Sequence, residues 1–191
     1  VRIVQGFLGA VATVLISLSA REVFGRRAGV AAGLLLAFYS PAIFFDGLIQ
    51  KASLDLALTC WLLWLVAIML TQVTPARCLW AGIALGCLAL TRENALVFAP
   101  LLAFWVWFSR DRRRANAAVF ILGLGVALTP VVARNLVVSG EFHLTTSQFG
   151  PNLFIGNHEG ATGTYVPLRK GRGNVAFEQE DAIQMAEVHI E

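Results

Sequence analysis

Charge is what this chain has least of. Asp, Glu, Lys and Arg make up 14% of its 191 residues and hydrophobic residues 57%, whereas soluble domains carry about a quarter charged residues. Together with a mean hydropathy of +0.69, this excludes a water-soluble globular domain and makes the membrane the solvent. Strict alternation is also missing. Barrel strands need ~10 residues of it, and no apolar block here alternates, so helices remain as the way to satisfy the backbone in lipid. The three cysteines, Cys60, Cys78 and Cys87, have no ligand-like spacing and no nearby His. They read as packing residues, and neither a disulfide framework, a metal nor a cofactor is expected. There is no repeat, no low-complexity tract and no phosphate-binding glycine loop. The glycines of GAVAT and GLGVA are scattered through apolar helix, where small residues let helices approach. No basic n-region or cleavage site precedes the first apolar block, which begins at Val1, and the final HIE falls within an amphipathic pattern. Both ends are expected to continue in a longer protein.

The apolar residues form blocks at about 2–18, 28–45, 53–72, 78–91, 95–109 and 115–133. The expectation is an all-α polytopic membrane protein, with six spans over residues 1–133. Pro41, Pro100 and Pro130 lie within these spans and permit kinks. From 134 to 191 the chain turns rich in Gly, Ser, Thr and Asn, as a soluble segment on the outer side would. Within it LVVSGEFHL suggests a hairpin, FGPNLFIGN a turn and strand, and EQEDAIQMAEVHI a helix. Arg21, Arg26, Arg27, Arg77, Arg110, Arg112, Arg113 and Arg114 follow the first, third and fifth blocks, while the alternate connections hold only Lys51 and Arg92. That asymmetry puts the arginine-rich loops in the cytoplasm and both chain ends outside. The RDRRR cluster sits beside a helix end and implies no nucleic acid.

The segment LALTRENALVFAPLL sets Thr91, Arg92, Glu93 and Asn94 inside a nearly unbroken apolar run. Its flanking blocks, Cys78 to Thr91 and Ala95 to Ser109, span roughly 21 to 23 Å at ~1.5 Å per residue, against a hydrocarbon core of ~30 Å. Both are anchored at their inner ends by Arg77, Trp80, Trp105, Trp107 and RDRRR. The deficit then either draws TREN inward, where Arg92 must face a polar cavity, or is absorbed by local thinning of the bilayer around an ordinary loop. The other outward connection, FFDGLIQKASLDLAL, offers Asp46 and Gly47 as a turn, Ser53 as a helix N-cap and Asp55 as a first-turn charge. Lys51 is not explained by capping, because a cation beside a helix N-terminus needs an anionic partner. Asp46 and a bound phosphate are both open as that partner. The outward face thus gathers Gln5, Asp46, Lys51, Arg92, Glu93, Asn94, Arg134 and Asn135. Two cations suit a phosphate, while carboxylates and amides suit sugar hydroxyls. A transporter would show broken helices and repeats that are not apparent here.

The segments VQGFLGAV, SAREVFGRRAGVAAGLLLAFYSPAIFFDGLIQKASL, LTREN and ARNLVVSGEF followed by GPNLFIGN resemble bacterial integral-membrane glycosyltransferases of the GT-C class. Relatives of that class include protein O-mannosyltransferases and lipid A aminoarabinose transferases. The resemblance implies a GT-C-like helical bundle in a bacterial inner membrane. It also implies a polyprenyl-phosphate sugar donor, membrane lipids as surroundings, and an acceptor hydroxyl on a lipid, glycan or protein at the outer face. It makes Arg92 and Lys51 donor-phosphate contacts, and Gln5, Asn94, Arg134 and Asn135 site-lining residues. The general base is expected upstream of Val1, with Asp46 and Glu93 as weak substitutes, so this chain alone is expected to be inactive. Where relatives carry an acidic residue after the lysine, Ala52 stands here. A non-enzymatic subunit holding or transporting an anionic lipid is the alternative.

The charge asymmetry predicts a labelling pattern. With Cys60, Cys78 and Cys87 replaced, a cysteine introduced at Gly140 or Gly171 should react with an impermeant thiol reagent outside intact cells, and one at Asp111 should not. The inverse pattern would reverse the orientation.

Overall fold

The computed structural model describes residues 1–109, 113–139, 144–145, 156–157, 167–169, 171–174, 177, 181 and 184–185. The chain is an all-α polytopic membrane protein that divides into two units, Val1–Phe142 and His143–Glu191.

In the first unit the helices are α1 (Arg2–Phe24), α2 (Arg26–Ala37), α3 (Ser40–Gly47), α4 (Ala52–Thr71), α5 (Pro75–Thr91), α6 (Phe98–Phe108) and α7 (Arg113–Ser139), with a 3-10 turn at Glu93–Val97. Arg2–Phe24, Ala52–Thr71 and Arg114–Val138 are long and apolar enough to cross a membrane. A fourth span results if α2 and α3 are taken together, although they bend by 49°. The block expected as one helix over 28–45 is therefore broken. Its break lies at Phe38–Tyr39, and Pro41 occupies the first turn of α3, where a missing backbone N–H is tolerated. Pro130, by contrast, sits inside a helix that continues past it.

Local chemistry fixes the helix ends. Gly25, at φ 90°, makes the turn between α1 and α2, a conformation that side chains disfavour. Gly29 and Gly33 then let α2 run back against Ser17, Arg21 and Thr13 of α1. The next connection is closed by Thr74, whose side chain accepts from the Arg77 N–H, with Pro75 following as the first helical residue. Arg77 also donates to the carbonyls of Ile68 and Gln72, both at 2.7 Å, and so caps the end of α4. This capping starts α5 three residues before the expected block, at 17 residues or ~26 Å.

The main core lies between α4, α5, α6 and α7, around Leu65, Met69, Cys78, Leu85, Val106 and Phe120. A second cluster, Ala12, Ala57 and Cys60, joins α1 to α4. Glycines set the closest contact. A Cβ at Gly82 would meet the Phe120 carbonyl, one at Gly86 the Ala127 side chain, and one at Gly123 the Leu79 carbonyl. Gly82 faces Phe120 and Leu124 while Gly86, one turn on, faces Leu124 and Ala127, so the contact advances along both helices and α5 and α7 run in parallel at backbone contact. At their starting end Arg114 lies 5.8 Å from the Trp107 ring, a cation on an aromatic face of the kind found at membrane boundaries.

α7 extends to Ser139, six residues beyond the block expected to end at 133, so Leu136 to Ser139 are helical where a hairpin was expected. The rest of that hairpin and most of FGPNLFIGN and EQEDAIQMAEVHI fall outside the described residues. In the second unit Asp181 is buried, with Arg172 at 3.3 Å and Arg169 at 3.8 Å.

The α5–α7 contact can be tested with two glycines. Gly82→Ala should destabilise the protein by about 1 to 3 kcal/mol through overpacking, whereas Gly125→Ala, with nothing within 4 Å of its Cβ position, should have little effect. Equal unfolding midpoints in detergent for both variants would disprove the contact.

Candidate functional site

The site is built at one end of the helices, where α4 begins and α5 ends. Lys51 occupies the N-cap position of α4 with an αR backbone and no side-chain cap bond. Ser53, expected as the cap, is instead buried within the first turn. The Lys51 ammonium turns away from its own helix and donates to the Thr91 carbonyl of α5 at 2.6 Å. Thr91 is the last residue of α5, and its carbonyl is one of the acceptors that a helix leaves unpaired at its C-terminus. The question raised by a cation beside a helix N-terminus thus has a local answer. Within the protein its partner is not Asp46 but the negative end of a neighbouring helix dipole.

The reciprocal contact runs the other way. Arg92, in extended conformation after α5, donates its Nε to Asp55 Oδ2 at 2.7 Å. Asp55 lies in the first turn of α4, as expected, but it is also the carboxylate that holds Arg92. The Asp55 side chain is 11% exposed and that of Arg92 60% exposed. The carboxylate is therefore enclosed, while the guanidinium edge carrying the η nitrogens makes no hydrogen bond or ion pair with any described residue. Lys51 is exposed as well, and among the described residues its ammonium contacts only the Thr91 carbonyl. A pair of cations is thus held at complementary helix ends, forming a cationic rim.

Gln5 sits on α1 beside the connection that leads to Lys51. It is 6% exposed, and its amide donates to the carbonyls of Leu48 at 2.6 Å and Gln50 at 2.8 Å. It orders the loop. Asp46 closes α3 and lies against Gly9 of α1, where it lines a cavity rather than pairing with Lys51. Glu93 is half-buried in the 3-10 turn and Asn94 is exposed. Glu93, though adjacent to Arg92, makes no ion pair with it, and the partner of Arg92 is Asp55. Arg134 is exposed and Asn135 half-buried, near the end of α7. The parallel register of α5 and α7 carries them to the same end as Thr91. Among the described residues no group of three or more His, Cys, Asp or Glu gathers to hold a metal.

Residues 1–136 match the model of a family described as dolichyl-phosphate-mannose-protein mannosyltransferase. The chain belongs to that family. The matched stretch contains every residue of the rim and almost all of α7. No curated protein and no solved structure matches the chain. Membership in the mannosyltransferase family implies a membrane glycosyltransferase that draws on a polyprenyl-phosphate-linked sugar.

Sequence reasoning gave Asp55 no role beyond its own helix. A usable signal was present. Lys51 and Asp55 are four residues apart, which puts a cation and a carboxylate on one helix face, and Arg92 was the other cation of the two outward connections.

The rim predicts a measurable coupling. In a double-mutant cycle of Asp55→Ala and Arg92→Ala, read by unfolding in detergent, an interaction of about 1 to 2 kcal/mol should appear, as for residues sharing one ion pair. Strictly additive effects would mean that the two side chains do not meet.

Proposed function

We propose that the Lys51–Arg92 rim binds the phosphate of a polyprenyl-phosphate sugar, and that the full-length protein transfers the sugar to an acceptor hydroxyl at the outer face of a bacterial inner membrane. One observation carries this reading. Two cations, from chain positions 41 residues apart, are each anchored through a single contact to the neighbouring helix and keep further N–H donors open. Donors left open in this way are available to the oxygens of an anion. The family match supports the donor class, and the arginine asymmetry across the connections supports the outward side.

In this reaction the acceptor oxygen attacks the anomeric carbon, and the bond from that carbon to the phosphate oxygen breaks. The electron pair leaves with the polyprenyl phosphate, and the hydroxyl proton passes to a general base. Lys51 and Arg92 stabilise the charge that grows on the departing phosphate. Asp55 is unsuited to be the base, because its Oδ2 is already taken by Arg92 and its side chain is largely enclosed. Asp46 and Glu93 are the other carboxylates near the rim. We assign neither the role, and turnover is proposed for the full-length protein rather than for this chain alone. Gln5, Asn94, Arg134 and Asn135 are proposed to line the site. The sugar and the acceptor, whether lipid, glycan or protein, are set by parts of the site beyond the rim.

The test is donor affinity in the full-length protein. Arg92→Ala should weaken binding of the lipid-linked sugar by about 1 to 3 kcal/mol, the range for a charge-assisted contact. Arg92→Lys should recover only part, because an ammonium lacks the planar fork. Unchanged affinity in a folded Arg92→Ala protein would reduce Arg92 to a loop residue.

A further inference from the structure

A cavity of about 330 Å³ opens between α1, α2, α3 and α4, walled by Gly9, Thr13, Leu36, Ile43, Asp46 and Leu56. This volume is at the low end of the ~300–1,000 Å³ typical of small-molecule sites, enough for one ring-sized body. Most of the wall is aliphatic. The Thr13 hydroxyl is engaged by the Gly9 carbonyl at 2.9 Å, which leaves the Asp46 carboxylate as the open polar group. The carboxylate is packed over Gly9 so closely that any Cβ there would collide with it. Its Oδ1 is buried and accepts no hydrogen bond. An unpaired buried acceptor costs about 1 to 3 kcal/mol, and more when charged. The nearest cation in sequence, Lys51, is directed to Thr91 instead.

The matching occupant has an apolar face and at least one O–H or N–H donor. A sugar ring offers both, since its C–H groups can lie on aliphatic side chains while a hydroxyl or amino group reaches a carboxylate. We infer that this cavity holds the sugar of the lipid-linked donor, with Asp46 accepting a hydrogen bond from it and Gly9 supplying the room for that carboxylate. The inference rests on the donor reading above and divides the site in two. The cations take the phosphate, and Asp46 takes the sugar. Gln5, one helical turn before Gly9, links the halves by ordering the carbonyls of Leu48 and Gln50 in the loop that leads from Asp46 to Lys51.

The experiment uses the full-length protein in lipid nanodiscs and compares bare polyprenyl phosphate with the same lipid carrying mannose, glucose or an aminopentose. The wild type should bind at least one sugar-bearing lipid ten-fold or more tightly than the bare lipid. Asp46→Ala, which removes the acceptor, and Ala42→Leu, which fills the cavity while keeping the carboxylate, should each erase most of that preference. Both should leave bare-lipid affinity within about two-fold, whereas Arg92→Ala should lower both affinities by a similar factor. The sugar assignment is overturned if the wild type shows no preference, if the preference survives both substitutions, or if bare-lipid affinity falls as far as sugar-lipid affinity. If the wild type binds no polyprenyl phosphate at all, the donor reading fails first and the sugar assignment falls with it.

Discussion

The contact between Asp55 and Arg92 is the constraint around which this end of the molecule is arranged. A guanidinium at the end of a largely apolar helix gains from a carboxylate partner, because charge-assisted hydrogen bonds are roughly twice as strong as neutral ones. The carboxylate comes from the start of α4, a helix that otherwise contributes apolar side chains to two cores. The partnership fixes the connection after α5 against the first turn of α4. Lys51 then repeats the link in the opposite sense, from the start of α4 to the last carbonyl of α5. Each helix end neutralises the other. The connection between them is thereby held even though little apolar surface is buried there.

Behind that end, α5 acts as the spine of the membrane unit. It is short and lined with Ala and Gly, and nearly half of its residues are buried. Small side chains allow α7 to reach its backbone, while α4 packs larger groups, Leu65 and Met69, on another side. Packing of this kind leaves little freedom for axial sliding, because a shift by one residue would bring Cβ atoms onto backbone carbonyls. The position of Thr91 and Arg92 is therefore set by the whole length of α5 and not only by their local contacts.

The environment and fold class were legible because they depend on quantities summed over many residues, namely hydropathy, absence of alternation and charge placement. The ordered motifs also led to the glycosyltransferase class before any geometry was known. Element ends were less legible. The α2–α3 break and the early start of α5 depend on a few backbone groups around Tyr39, Thr74 and Arg77, which hydropathy does not weigh. The continuation of α7 through Leu136 to Ser139 was hidden by Ser139 and Gly140, which resemble a turn. Pairing was least legible of all. Lys51 was left open between nearby Asp46 and a ligand and Arg92 had no protein partner assigned, yet within the protein they contact the Thr91 carbonyl and Asp55. Contacts across 37 and 40 residues follow from helix packing, which no local spacing encodes. The cavity beside Gly9 escaped for the same reason, because a glycine in an apolar helix says nothing of the carboxylate it faces.

α4 has a further consequence through its screw geometry. Successive helical residues point ~100° apart, so Asp55 looks toward Arg92 while its neighbour Leu56 looks into the cavity below α3. The two residues share one rigid rod. Any twist of α4 about its axis moves the carboxylate and the leucine together, changing the grip on the guanidinium and the shape of the chamber in a single motion. The helix is in effect a camshaft, and a load applied at either position is transmitted as torque to the other.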